Sequence, residues 1–213
     1  MEFIDEALAK YATAHSSEEP AILKKLSRET HLKMMQSRML SGHLQGRLLS
    51  LLSHLTRPKC ILEIGTYTGY SAICLAEGLT EGGILHTIDN NPEREAFVNR
   101  FIDEAKMTDK IRTYIGDARL VIPTITGEFD IVFIDADKSG YAAYYDLIID
   151  RVKPGGIIIT DNVLWSGKVI ESVKANDEDT LQIQAFNKKI ASDPRVEVVL
   201  LPIRDGISIA RKK

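Results

Sequence analysis

An α/β fold with a mostly parallel, seven-stranded sheet and helices on both faces is what this 213-residue sequence predicts, on three observations. Short apolar runs alternate with segments of helical period from residue 60 onward, the pattern of strands wrapped by helices. The run Cys60–Ile64 leads through Gly65 and Gly69 into apolar residues at helical spacing over 71–79. Strand, glycine turn and helix in that order place a ligand at the carboxyl end of the strand. Two closing runs, 195–201 and 206–211, read as antiparallel neighbours at one side of the sheet.

Each element has a local reason. Phe3, Ile4, Ala7, Leu8 and Tyr11 form one helical stripe. Ser16, Ser17, Glu18, Glu19 and Pro20 break it and suit a new helix start, after which Ile22, Leu23 and Leu26 continue. Leu44, Leu48, Leu49, Leu51, Leu52 and Leu55 mark a third helix over 42–55, stopped by Pro58. Met34, Met35, Met39 and Leu40 precede it, as core filler or as a flexible apolar wall over a ligand.

The core then runs over 60–211. Strands are expected at 84–88, 111–115, 129–134 and 157–160, with helices at 92–106, 139–151 and 178–191. Pro92 suits a first helical turn. Gly116-Asp117-Ala118 opens a short helix that Pro123 ends, Lys153-Pro-Gly-Gly156 reads as a turn, and 162–177 as a loop. No repeat or domain boundary interrupts 1–213, so residues 1–55 read as a helical appendage of one domain, a lid or a dimer contact.

Net charge is −3 and the isoelectric point about 6.0, which gives no global basic footprint for nucleic acid. No apolar run approaches the ~20 residues of a membrane span. The acidic start Met-Glu-Phe-Ile-Asp-Glu lacks a signal-peptide pattern. The only cysteines, Cys60 and Cys74, fall in a core strand and a helix as buried thiols. A cytoplasmic protein is the economical expectation.

The glycine turn reads Glu-x-Gly-x-x-x-Gly, without the third glycine that packs a helix over a pyrophosphate. A ligand with an adenosine and no phosphates fits better, and S-adenosylmethionine is the common one. Asp89, at the end of the second strand, sits where an acid accepts ribose hydroxyls, while Asn90 or Asn91 caps the next helix.

At the ligand edge, Asp135 ends the fourth strand, with Asp137 and Lys138 just beyond, and Asp161-Asn162 ends the fifth. Asp135, Asp161 and Asn162 offer an all-oxygen set for a hard cation: magnesium first, manganese or calcium as alternatives. Successive strand residues face opposite ways, so Asp161 and Asn162 can both bind only if the strand has ended there. A cation held by that set would lower the pKa of a hydroxyl bound to it and orient that oxygen, and Lys138 beside it could take the proton, as a lysine can when burial or a cation disfavours its charge.

Glu63-Ile-Gly-Thr-Tyr-Thr-Gly-Tyr-Ser71 resembles motif I of the class I S-adenosylmethionine-dependent methyltransferases, and its Gly-Tyr-Ser ending resembles the cation-dependent O-methyltransferases that act on catechol and caffeoyl-CoA. The resemblance runs from about residue 27 to 211 and implies a Rossmann-like sheet. It implies cofactor contacts for Met39, Ser41, Glu63, Gly65, Thr66, Gly69, Ser71, Asp117 and Ala118, beside Asp89 and Asp135. Tyr67 would stack on the ligand or pack, and Asp137 would touch the cofactor or orient Lys138.

For the acceptor, the resemblance implies a phenol with Lys138 as its base, Trp165 against a flat ring, Tyr144 as a further contact, and neighbouring hydroxyls that chelate the metal. A homodimer through the N-terminal helices follows from the same likeness. O-methylation of a hydroxylated uridine in tRNA is the alternative acceptor. Arg204 departs from the glycine usual before Asp-Gly, and the 166–178 segment differs from plant enzymes, so a preference for CoA esters does not carry over.

Overall fold

The computed structural model describes residues 4–173 and 176–213. Phe3 of the expected first stripe, and residues 174 and 175 of the expected loop, lie outside them. Three helices come first: α1 (Glu6–Ala14), α2 (Ala21–Lys33) and α3 (Gly42–Thr56). Then follow β1 (Cys60–Ile64), α4 (Tyr70–Ala76), β2 (Ile84–Asp89), α5 (Glu95–Glu104), β3 (Ile111–Ile115), α6 (Ala118–Val121), β4 (Phe129–Ile134), α7 (Tyr141–Ile148), β5 (Val152–Asp161), α8 (Glu178–Ser192), β6 (Val196–Leu201) and β7 (Ile207–Lys212).

All seven strands join one sheet in the order β3-β2-β1-β4-β5-β7-β6. β1 to β5 pair in parallel; β7 runs antiparallel to both β5 and β6. The order reverses between β1 and β4, and a ligand crevice forms at such a switch point beyond the carboxyl ends of the strands. β1 is covered on both faces, which is why it reads as a continuous apolar run interrupted only by Glu63.

Strand alternation sorts the core. Ile61, Ile131, Phe133 and Ile159 face the layer of α2, α3, α4 and α5, with Leu26, Leu49, Ile73 and Phe101. Leu62, Ile64, Val132 and Ile134 face α7 and α8, with Tyr145, Ile148 and Phe186. The α1 stripe behaves differently: Ile4, Leu8 and Tyr11 stay exposed.

The fifth strand starts at Val152, five residues before its expected start, and carries the expected turn residues Lys153-Pro-Gly-Gly156 as an unpaired bulge with Gly155 at φ +81. Its partners explain this. Val152 pairs with Phe129 of β4 across a register shift, and pairing with β7 begins only at Ile157, so the missing N–H of Pro154 breaks no bond of that ladder. The expected 162–177 loop contains a 3₁₀ segment, Trp165–Ile170, kinked at Ser166 and Gly167. Among the described residues no helix is long and apolar enough to cross a membrane.

Candidate active site

The turn after β1 is built by backbone groups. Gly65 has φ +105 and donates its N–H to Ile88 O on β2 at 2.9 Å. A Cβ at this position would stand 2.0 Å from the carbonyl oxygen of Asp135, so only glycine lets β1 and β4 end side by side. Gly69, φ +85, receives the N-terminus of α4.

Asp89 organises the neighbouring turn. Its carboxylate accepts the N–H groups of Tyr67 and Asn91, both at 2.8 Å. Arg94 lies 3.5 Å from the same carboxylate and 5.0 Å over the Tyr67 ring. Asn91, not Asp89, caps the turn at Pro92 by accepting from Glu93 N, as the sequence allows.

Glu63 is fully buried on the α4 face. Thr87, its register partner on β2, donates to Glu63 Oε2 at 2.5 Å, and Thr66 Oγ1 lies 2.5 Å from the Thr87 hydroxyl. Glu63 Oε1 has no partner among the described residues. Burial pushes its carboxyl up to about 8, with the neighbouring Ser71 and Thr87 hydroxyls opposing that rise. A buried acid with a spare oxygen at a strand end is ready for a polar ligand.

The ends of β4 and β5 carry the charged half. β5 stops at Asp161, and Asn162 takes a left-handed φ of +57, so the strand has ended where both donors would need it to. Lys138 Nζ donates to Asn162 Oδ1 at 2.7 Å and to Tyr141 Oη at 2.6 Å, and lies 3.4 Å from Asp135 Oδ1. It sits 4.8 Å from the centre of the Tyr141 ring and 5.7 Å from that of Trp165. The Tyr141 hydroxyl donates onward to the Asp161 carbonyl at 2.9 Å. Asp161 Oδ2 accepts from Gln45 Nε2 at 2.7 Å and Oδ1 from Asn162 N at 2.8 Å. Burial and the nearby Asp161 raise the pKa of Asp135, with Lys138 opposing.

A family model described as O-methyltransferase matches residues 13–213. The chain belongs to this O-methyltransferase family. Caffeoyl-CoA O-methyltransferase 1 of Arabidopsis thaliana is 36% identical over 205 residues, covering 91% of this chain and 79% of the relative. Caffeoyl-CoA O-methyltransferase 5 of Nicotiana tabacum is 34% identical over 220 residues, covering 97% and 91%. The O-methyltransferase of Bacillus cereus in complex with SAH superposes with a TM-score of 0.86 at 29% identity, over 97% of each chain. The SAH-bound methyltransferase PaMTH1 of Podospora anserina gives a TM-score of 0.89 at 29% identity, over 98% of this chain and 94% of that one.

In this O-methyltransferase the residues singled out from the sequence fall into those at the sheet edge, those before α3, and a third group. Glu63, Gly65, Thr66, Tyr67, Gly69, Ser71 and Asp89 cluster around the β1 turn, and Asp135, Lys138, Asp161, Asn162 and Trp165 around the β4 and β5 ends. Met39 and Ser41 lie between α2 and α3; Met35 and Met39 are exposed, which is not core filling, whereas Ser41 is buried. The third group turns to its own partners. Asp117 caps α6 through Arg119 N at 2.9 Å and pairs with the Arg119 guanidinium, which holds its carboxyl below the usual range. Ala118 is buried beside it. Tyr144 is buried and donates to Asp137 Oδ1 at 2.5 Å.

The donors suit a hard cation. Two carboxylates close enough to raise the pKa of Asp135 leave negative charge that a divalent ion would balance. Among the described residues no three His, Cys, Asp or Glu side chains converge, so the third donor would be the amide oxygen of Asn162. Sequence reasoning passed over Gln45 and Tyr141. Tyr141 had a local signal, three residues after Lys138 at a helix start; Gln45 had none, lying 116 residues from Asp161.

Proposed function

We propose that this O-methyltransferase moves the sulfonium methyl of S-adenosylmethionine to a hydroxyl of a catechol-like or caffeoyl-type molecule, with a divalent cation at Asp135, Asp161 and Asn162. The observation that carries this is the meeting of those three oxygen donors and Lys138 at one sheet edge, against the Gly65 turn. The bound cation would supply Lewis acidity, making the acceptor hydroxyl a nucleophile near neutral pH. The cofactor would supply the electrophilic methyl.

The protein's own part is positioning and proton handling. Asp89 and the Tyr67 turn would hold the ribose, and Glu63 with its spare oxygen would face the methionine portion. Met39 and Ser41 would close over the cofactor from the N-terminal side, while Ala118 and Asp117 flank the adenine. Trp165 offers its face to the acceptor ring, and its indole Nε1 has no partner among the described residues. Lys138 Nζ is the base. Its ammonium has no lone pair, so it would first release one proton to solvent, giving up one of its present N–H contacts, and the lone pair so freed would then take the proton of the acceptor hydroxyl. Tyr141 and Asn162 keep the nitrogen in place. Pairing of two copies through the N-terminal helices is supported by exposed Leu8, Leu51 and Leu55.

Methyl transfer measured by mass spectrometry, with S-adenosylmethionine and caffeate or catechol, tests this directly. Product is expected with magnesium and none with EDTA. Equal product in both tubes would sink the cation mechanism. No product in either, together with retention of tRNA at physiological salt, would move the acceptor to RNA.

A further inference from the structure

Arg204 lies between β6 and β7 at a left-handed φ of +51, a conformation that favours glycine. Its guanidinium turns inward. Nη1 donates to Gln45 Oε1 at 2.8 Å and also to the carbonyl of Ser41. A guanidinium can only donate, so Gln45 must present its oxygen to Arg204 and its NH₂ to the other side. On that other side is Asp161 Oδ2, 2.7 Å from Nε2. Gln45 is fully buried, so a reversed amide would set its oxygen against the carboxylate and its NH₂ against the guanidinium, with no better partner to turn to.

The second Asp161 oxygen is held by the N–H of Asn162 at 2.8 Å. Both oxygens are therefore aimed from the protein side, one of them by a chain that begins at Arg204. The same guanidinium fixes Ser41 at the entrance to α3. This joins the segment before α3 to the sheet edge through one side chain.

We propose that Arg204, acting through Gln45, is a positioning residue that sets the direction of the Asp161 carboxylate for a divalent cation and anchors Ser41 to that edge. The proposal rests on the cation site proposed above. It assigns a role to Arg204: the Asp161 carboxylate already favours one sense of the Gln45 amide, and the guanidinium holds the amide in that sense and place from the other side.

The test uses Mn²⁺ alone, titrated into the full chain without cofactor, with the free ion followed by electron paramagnetic resonance. Arg204→Gly is the first variant, because glycine takes the observed φ without strain and keeps the loop. Gln45→Leu and the double variant complete a cycle, with melting midpoints recorded for all. Arg204→Gly and Gln45→Leu are each expected to weaken Mn²⁺ binding about 10–100-fold, the usual cost of losing a group that orients a ligand. The double variant should bind no more weakly than Gln45→Leu, since both act through one chain. A parent that binds Mn²⁺ while Arg204→Gly binds it equally well overturns this proposal and leaves the cation site standing. Losses that multiply in the double variant overturn the route through Gln45. A parent that does not bind Mn²⁺ overturns the cation site and this inference together.

Discussion

The turn after β1 and the turn after β5 lie at one sheet edge, yet they are held by different means. The first depends on glycines at positive φ and on backbone N–H groups from Gly65 and Tyr67 that point into β2 and Asp89. Its one left-handed side-chain residue, Tyr67 at φ +48, is fixed by that bond to Asp89. The second has left-handed Asn162, Trp165 and Ser166 followed by Gly167, and packs on Gly206, both glycines also at positive φ. It is pinned by side chains from far along the chain: Asp205 on Ser166 N, Asn187 on Val163 O, and Gln45 on Asp161. Such backbone costs about 1–3 kcal/mol per residue and persists only where the surroundings over-determine it. A turn made from backbone tolerates side-chain change and fails when a glycine is lost. A turn pinned by distant side chains fails also when one of those partners is lost.

Gly65→Ala breaks the first turn and carries the largest expected effect. The new methyl group would meet the Asp135 carbonyl at 2.0 Å at a φ of +105, with no flexible neighbour to yield. A loss of more than about 3 kcal/mol in urea unfolding is expected, with SAH binding lost as well. A variant of parental stability would mean that β1 and β4 can separate, and the contrast between the turns would collapse.

Asp135→Asn tests the second turn, and there stability and activity part company. Removing a half-buried charge beside Asp161 should leave the protein about 1 kcal/mol more stable at pH 8 in EDTA, the lost Lys138 contact offsetting part of the gain. Metal-dependent turnover should fall at least about 100-fold. Loss of both together would instead make Asp135 a structural residue.

Glu63→Gln sharpens the comparison through pH. The carboxyl has an ordinary value of 4.5 and sits at about 8 in the fold. Between those values the folded state holds a proton that the unfolded state has released, so stability falls as pH rises. The slope approaches about 1.4 kcal/mol per pH unit at most, and the stabilising contribution is fully present only below the unfolded value. Gln carries no such proton. Urea midpoints of the parent between pH 5 and 8, without added cofactor, should decline more steeply than those of Glu63→Gln. Parallel curves would mean that Glu63 is ionised in the fold.

The same contrast decides what was legible in the sequence. β1, its glycines, Asp89 and the Asn91 cap are local patterns, and the fold places them where spacing put them. The places of Asp135, Asp161 and Asn162 in the fold were legible too, because Asp161 ends β5 and Asp135 and Asn162 directly follow β4 and β5. The early start of β5 was hidden, since Pro-Gly-Gly carries a turn signal and only the pairing of Val152 with Phe129 extends the strand across it. The Arg204–Gln45 bond was also hidden: 159 residues separate the partners, and no local period links them.

Asp117 lies outside both turns and should give the smallest effect. Its carboxylate caps α6 and pairs with Arg119, so a contribution to the cofactor has to be separated from the cap. Asp117→Ala removes both and should lower the melting midpoint by about 2–4 °C. Asp117→Ser restores a cap without a carboxylate and should recover most of that midpoint. If the carboxylate also faces adenine, SAH affinity stays about threefold low in Asp117→Ser, as for a partly exposed contact. Affinity that returns along with the cap would reduce Asp117 to a helix start and leave the adenine to the backbone at Ala118, which would extend the backbone-built half of the site to a third strand end.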